Sequence, residues 1–260
     1  MNNKGTKEGT GEEINFTKIL NKKTDIKYWD TLNLEPKDNY AIRVKYKQYG
    51  KINESKVLTK SDLFIAEGTV PISYLESKDY YLDEDDYKKF NLKAVDGSGI
   101  SIKEIDSKSY TIMKMSPSTF KKIFDSNILA SGSSIFCNKE QEFIKNTKLL
   151  DGWGISEDEF INYFNQNLDI KINSITDSSS KEQLKKIKTF SNKRIAEMIK
   201  NDKKISDFIF FGIGNFEEPY VARWLFEHNE FKENYLMPFI ITTGSGRSKG
   251  IYTIVLKPKK

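Results

Sequence analysis

Four consecutive apolar residues, Leu63 to Ala66, follow directly on the triplet Lys60–Ser61–Asp62 in "TKSDLFIAEG". Alternating strands bury one face, whereas an unbroken apolar run of this length fits a strand covered on both faces. Such a strand belongs inside a sheet. A carboxylate at its mouth is costly to desolvate unless a hydrogen-bond donor or a cation answers it. Asp62 therefore needs either water or a partner from a neighbouring strand.

A second strand candidate, "GSGISIKEID" (Gly97 to Asp106), supplies one. Alternate residues of a strand share a face, so Ser101 and Lys103 point the same way. If the two strands pair, Lys103 reaches Asp62. A strand-end carboxylate near a lysine suits a hard divalent cation, which takes oxygen ligands and keeps several waters.

The remaining sequence places these strands in a mixed α/β (α+β) chain, with a mixed central sheet flanked by helices. "YAIRVKYKQYG" alternates Ile42, Val44 and Tyr46 with Arg43, Lys45 and Lys47, the period of a half-buried strand. Residues 1–13 are polar and Gly-rich and read as a loose tail, with a helix broken near Thr24 following. The rest, 14–260, is expected to be a single domain. Residues 69–97 are polar and read as an insertion, its acidic run Leu82 to Lys89 as a surface loop or hairpin. "SPSTFKKIF" has Ser116 as N-cap and Pro117 at the first helical position. Residues 139–168 read as two helices around "LDGWG". The helix "KEQLKKIKTFSNKRIAEMIK" carries Leu184, Ile187, Ile195 and Ile199 on one side. "DFIFFGI" reads as a strand and "EEPYVARWLFEHN" as a helix. "LMPFIITTG" and "GIYTIVLKP" close the sequence as strands around "TTGSGRSKG".

Composition narrows the chemistry. The 260 residues include one cysteine, Cys137, and one histidine, His228, which excludes an internal disulfide and any multi-histidine metal site. Cys137, flanked by apolar residues, reads as a core thiol, and Trp153 and Trp224 as core anchors. No apolar run is long enough for a membrane span and the first residues lack a signal-peptide core, so a cytoplasmic location is expected. The net charge of +5 arises from 42 basic and 37 acidic residues, so local patches matter more than the total.

"KSD" before an apolar strand, then a strand ending in "ISIK", resembles the core of the PD-(D/E)XK nucleases, specifically the type II restriction endonucleases. The resemblance covers residues 54–115 directly. It implies a Mg²⁺-dependent, sequence-specific endonuclease of a restriction-modification system that hydrolyses double-stranded DNA. Asp62 would be the metal-binding acid, Lys103 the catalytic lysine, and Ser101 would stand where the second acid usually does. Glu54 would supply an accessory carboxylate to the metal. The sequence departs from the pattern in two places: Ser61 replaces the proline and the neutral Ser101 replaces the acid. DNA contacts are expected from Lys60, Tyr110, Lys114, Asn192, Arg194, Arg247 and Lys249, whose hydroxyl, amide and cationic groups suit phosphates and base edges. Palindromic sites pair with two-fold protein symmetry, so a homodimer is expected. Two other readings stay open: a metal-independent RNA-processing endonuclease of the CRISPR kind using His228 as base, and a non-catalytic nucleic-acid-binding protein.

Overall fold

A computed structural model of the chain describes residues 4–44, 51–52, 55–56, 59–103, 110–137, 145–175, 181–244, 247 and 250–259. In chain order its elements begin with α1 (Lys4–Lys22), α2 (Ile26–Leu32), β1 (Asn39–Arg43), β2 (Lys51–Ile52), β3 (Ser55–Lys56) and β4 (Leu63–Glu67). Then come α3 (Ile72–Ser77), α4 (Glu84–Phe90), β5 (Lys93–Ala94), β6 (Ile100–Ile102), β7 (Met113–Met115), α5 (Pro117–Phe124) and α6 (Ile128–Ser134). The order continues with α7 (Lys145–Trp153), α8 (Glu157–Asn167), α9 (Lys181–Asn201) and α10 (Lys203–Phe210). It ends with β8 (Trp224–Glu227), β9 (Glu230–Glu233), β10 (Phe239–Thr243) and β11 (Ile254–Pro258). The chain forms two compact units, Met1–Lys108 with Asp207–Leu236, and Ser109–Ser206 with Met237–Lys260.

The first unit is built on a mixed sheet in the order β1-β4-β6-β8-β9, with β5 also pairing β4. Only the β6–β8 pair among these is parallel. The apolar run of β4 is central, as its composition predicts, and its alternation sorts the core into two faces. Leu63 and Ile65 join Phe16, Leu20, Trp29, Ile100 and Phe226 on one side. Phe64 and Ala66 join Ile42, Leu75, Tyr80, Leu82, Tyr87 and Leu92 on the other.

That second cluster changes the reading of residues 69–97. They do not loop out. They cover one face of the sheet, and the acidic run forms α4, opened by a capping box between Asp83 and Asp86. Asp86 is buried, which pushes its pKa up, yet hydrogen bonds from Lys78 and Tyr74 outweigh burial and hold it below the usual carboxylate value. Composition hides the packing because Leu75, Tyr80, Leu82 and Tyr87 are spread among charges that face water.

The amino-terminal stretch differs too. Residues 4–13, read as part of a loose tail, belong to α1, which Phe16 and Leu20 anchor to the sheet and Arg43 ties at Glu13. "DFIFFGI" falls largely within the helix α10 rather than a strand, because Asp202 Oδ1 accepts from the backbone N–H groups of Lys204 and Ile205 and nucleates a turn. "WLFE" is the strand β8 rather than a helix. A two-residue turn at His228 and Asn229, with φ of 50° and 62°, returns the chain antiparallel as β9. This conformation is that of the tightest hairpin connections.

The second unit pairs β10, β11 and β7 antiparallel and packs helices against one another. Ser116 and Pro117 start α5 as expected, and Leu184, Ile187, Ile195 and Ile199 are buried along α9. A Cβ on Gly132 of α6 would come within 2.3 Å of Ser191 Oγ, so the absence of a side chain there lets α6 and α9 approach. Trp153 is a buried anchor beside Phe120. No helix among the described residues is long and apolar enough to cross a membrane.

β1 is an edge of the first unit's sheet among the described strands, and α1 closes it. The buried Asn21 accepts from Ala41 N–H at 3.0 Å and donates to Ala41 C=O at 2.8 Å, substituting for a neighbouring strand. Asn21→Leu strands both backbone groups, and the expected cost is about 2–4 kcal/mol. Urea unfolding of the variant checks this; a loss below the error of the measurement contradicts the edge-closing role.

Candidate active site

The register of β4 and β6 brings the site together. Leu63 faces Ile100, which sets Asp62 opposite Ser101 one position further out. Asp62 N–H donates to Ile100 C=O at 2.8 Å. Its Oδ2 accepts from Ile102 N–H at 2.6 Å and from Ser101 Oγ at 3.1 Å. Lys103 Nζ donates to Ser101 Oγ at 2.7 Å, completing a chain from ammonium through hydroxyl to carboxylate. The strand-mouth acid is thus answered by a backbone donor and a hydroxyl, with the lysine one bond behind. Lys103 N–H donates to Phe226 C=O, which extends the parallel pairing of β6 with β8 and fixes the lysine's position.

Gly99 makes this alignment possible. A Cβ there would lie 2.0 Å from the Val221 carbonyl oxygen and 2.4 Å from that of Pro219. Lys60 and Ser61 N–H both donate to Tyr220 C=O at 3.1 Å, so the same segment holds the entry to β4.

A second carboxylate comes from α1. Glu13 Oε2 accepts from Arg43 Nη2 at 2.8 Å, and Arg43 is itself buried, donating through Nη1 to Asp79 C=O at 3.2 Å with its guanidinium over the Tyr81 ring. Burial raises the Glu13 pKa, and the negative charge of Asp62 raises it further, against Arg43 and Lys103. Glu13 and Asp62 thus share one electrostatic site. The sequence does not single out Glu13, because its surroundings read as tail. The available signal is its helical spacing of three, four and seven residues from Phe16, Thr17 and Leu20, all on the face that packs inward.

Lys60 belongs to this group as well. Its residue keeps intermediate exposure, but Nζ turns inward and donates to Ile209 C=O at 2.7 Å. Burial and then the charge of Lys103 push its pKa down to about 7, with Asp62 opposing.

The other residues expected at the site lie elsewhere. Glu54 and Lys249 fall outside the described residues. Tyr110, Lys114, Asn192, Arg194 and Arg247 belong to the second unit. There Tyr110 OH meets Met237 Sδ, Lys114 is exposed on β7, and Asn192 Oδ1 accepts from Ser133 Oγ. Arg194 pairs with Glu197 on the exposed side of α9, and Arg247 donates to Thr243 Oγ1 and Ser134 C=O. His228 occupies the hairpin turn between β8 and β9.

Among the described residues no three His, Cys, Asp or Glu side chains gather as a metal cage. Asp62 and Glu13 are the carboxylates of this cluster that could offer oxygens to a Mg²⁺ ion, which binds through one or two carboxylates and keeps waters.

No protein-family model matches the chain, and no curated protein matches it. Among solved structures, the chain is similar to the restriction endonuclease MspI in complex with its cognate DNA. The TM-score is 0.38 and the identity 13%, over 94% of this chain and 83% of that one.

The Lys60 ammonium generates a pH signature. The unfolded chain holds this proton up to the usual lysine value of 10.5, whereas the folded chain releases it near 7. Between those values the unfolded state binds more protons, so Lys60 makes stability rise with pH across that window, with its full penalty below it. Lys60→Met is expected to flatten that rise and to stabilise the fold at pH 7. Urea midpoints measured across the window decide it; an unchanged slope contradicts the buried setting.

Proposed function

We propose that the chain is a Mg²⁺-dependent endonuclease that hydrolyses phosphodiester bonds of double-stranded DNA at a specific site, as part of a restriction-modification system. One observation carries the reading. Asp62 and Lys103, distant in sequence, meet through Ser101 on adjacent strands, with a helix-borne carboxylate beside them.

Asp62 and Glu13 would hold the Mg²⁺ through carboxylate oxygens. When bound, the ion supplies Lewis-acid polarisation of the phosphate and acidifies water. The chain's own groups do the rest. Oδ2 of Asp62 is fixed by Ile102 N–H and Ser101 Oγ, so the carboxylate needs no reorientation to act as a ligand. Lys103, steadied by Ser101 and β8, presents positive charge toward the phosphate and orients the attacking water. The water oxygen forms the new P–O bond and gives up a proton to solvent, while the bond to the leaving sugar oxygen breaks and that oxygen takes up a proton from solvent.

DNA is the substrate that this charge pattern and the chain's basic surplus favour, and a homodimer would match a palindromic site. No observation favours His228 as a general base, since its position is accounted for by the hairpin turn that it forms.

Incubation of the purified protein with plasmid or phage DNA and Mg²⁺ is expected to give discrete fragments, and none in EDTA. Asp62→Asn keeps an acceptor for Ile102 N–H and is expected to melt like wild type, while cleavage falls by about 10²–10³-fold. Lys103→Ala is expected to lose cleavage even at saturating Mg²⁺. Normal cutting by either variant, or cutting in EDTA, overturns the reading.

A further inference from the structure

The second unit contains a cavity of about 280 Å³ with one face of α9 on its wall. Lys185, Lys188 and Thr189 line it at spacings of three and four residues, so they project from the same side of the helix. Opposite them stand Phe136, Cys137 and Arg247. No Asp or Glu is among the described residues that line it.

The cations are not equivalent. Lys185 has an ion pair with Glu182 at 2.9 Å on the exposed side of the helix. Arg247 is locked, donating through Nη1 to Thr243 Oγ1 at 2.7 Å and to Ser134 C=O at 3.2 Å. Its guanidinium lies 4.3 Å from the centroid of the Phe136 ring, which helps to hold the group in place. Lys188 faces this fixed charge. Burial and then Arg247 hold its pKa below the usual lysine value, and only Cys137 opposes them. Two cations held together in partial burial repel unless an anion joins them.

We infer that this cavity is a binding site for a phosphate group, with Lys188 and Arg247 as its charge partners and the Thr189 hydroxyl as a neutral donor. A guanidinium held in a fixed plane suits the paired oxygens of phosphate, and the lysine serves as a mobile point charge beside it. The volume admits a phosphate with an attached sugar or a few waters. The phosphate would come from a nucleic-acid backbone or from a free phosphorylated small molecule. The inference goes beyond the cleavage reading, because it concerns residues of the other unit and requires neither metal nor Asp62.

Calorimetric titration of the full chain in EDTA tests it, with three probes: inorganic phosphate, a deoxynucleoside 5′-monophosphate and a short DNA duplex. At least one is expected to bind saturably. Lys188→Gln is expected to weaken that binding by about tenfold or more, and Lys188→Arg to restore most of it, with no loss of melting temperature in Lys188→Gln. Displacement of the smaller ligands by duplex, or binding of duplex alone, identifies the DNA backbone as the source. Tight binding of a small phosphate that duplex does not displace identifies a free ligand. Absence of saturable binding by all three probes, or equal binding by Lys188→Gln, overturns the inference whatever the cleavage assay shows.

Discussion

The hydrogen bond from Ile102 N–H to Asp62 Oδ2, at 2.6 Å, joins the backbone of one strand to the catalytic candidate of another. It works only in one register. Slipping β6 by one residue against β4 would send Ser101 to the opposite face and put an apolar side chain against the carboxylate. That register is enforced from both faces, because Leu63 and Ile100 pack under α1 while Phe64 packs under residues 69–97. The same packing that makes the core therefore aims the acid, the hydroxyl and the lysine at one place. Gly99 and the carbonyls of Pro219 and Val221 set how closely the neighbouring backbone can approach.

Two charges in this region depend on the core in a second way. Arg43 is buried, and such a charge is tolerable only because Glu13, the Asp79 carbonyl and the Tyr81 ring surround it. Glu13 in turn is drawn into the site by α1, whose position rests on Phe16 stacking against Phe226. A helix that docks for apolar reasons thus carries a carboxylate to the strand ends. Position, rather than local sequence, makes Glu13 a partner of Asp62.

Much of this is legible in the amino-acid sequence. Leu63 to Ala66 announce a central strand, the parity of Ser101 and Lys103 places them on one face, and Ser116–Pro117 marks a helix start. What escapes has physical causes. "DFIFFGI" carries an apolar run too short for periodicity to separate helix from strand, and the deciding cap at Asp202 lies outside the run. "WLFEHNEFKE" is masked by acids and a proline upstream that imitate a helix start, although His228 and Asn229 separate two strand-like runs. Glu13 needs tertiary information, since nothing local links residue 13 to residue 62. The five described residues of the second unit expected to contact DNA come from segments that stand out only by their chemistry. Of these, Arg247 alone lines the basic cavity there, where Lys188, which no motif marks, is its counterpart.

Ser101 gives the site its electrostatic character. An acid at that position would set a second carboxylate against Asp62, and the two could share the space only with a cation between them. The hydroxyl avoids that repulsion and passes the lysine's positive charge on to Asp62 through hydrogen bonds. The second negative group is instead Glu13, already compensated by Arg43. The cluster of Asp62 and Glu13 with Arg43, Lys60 and Lys103 therefore carries at least as much positive as negative charge, and on the proposed reading a Mg²⁺ ion would compete with an arginine for Glu13. On the proposed nuclease reading, DNA and metal would arrive together, the backbone phosphate offsetting the charge that the ion adds.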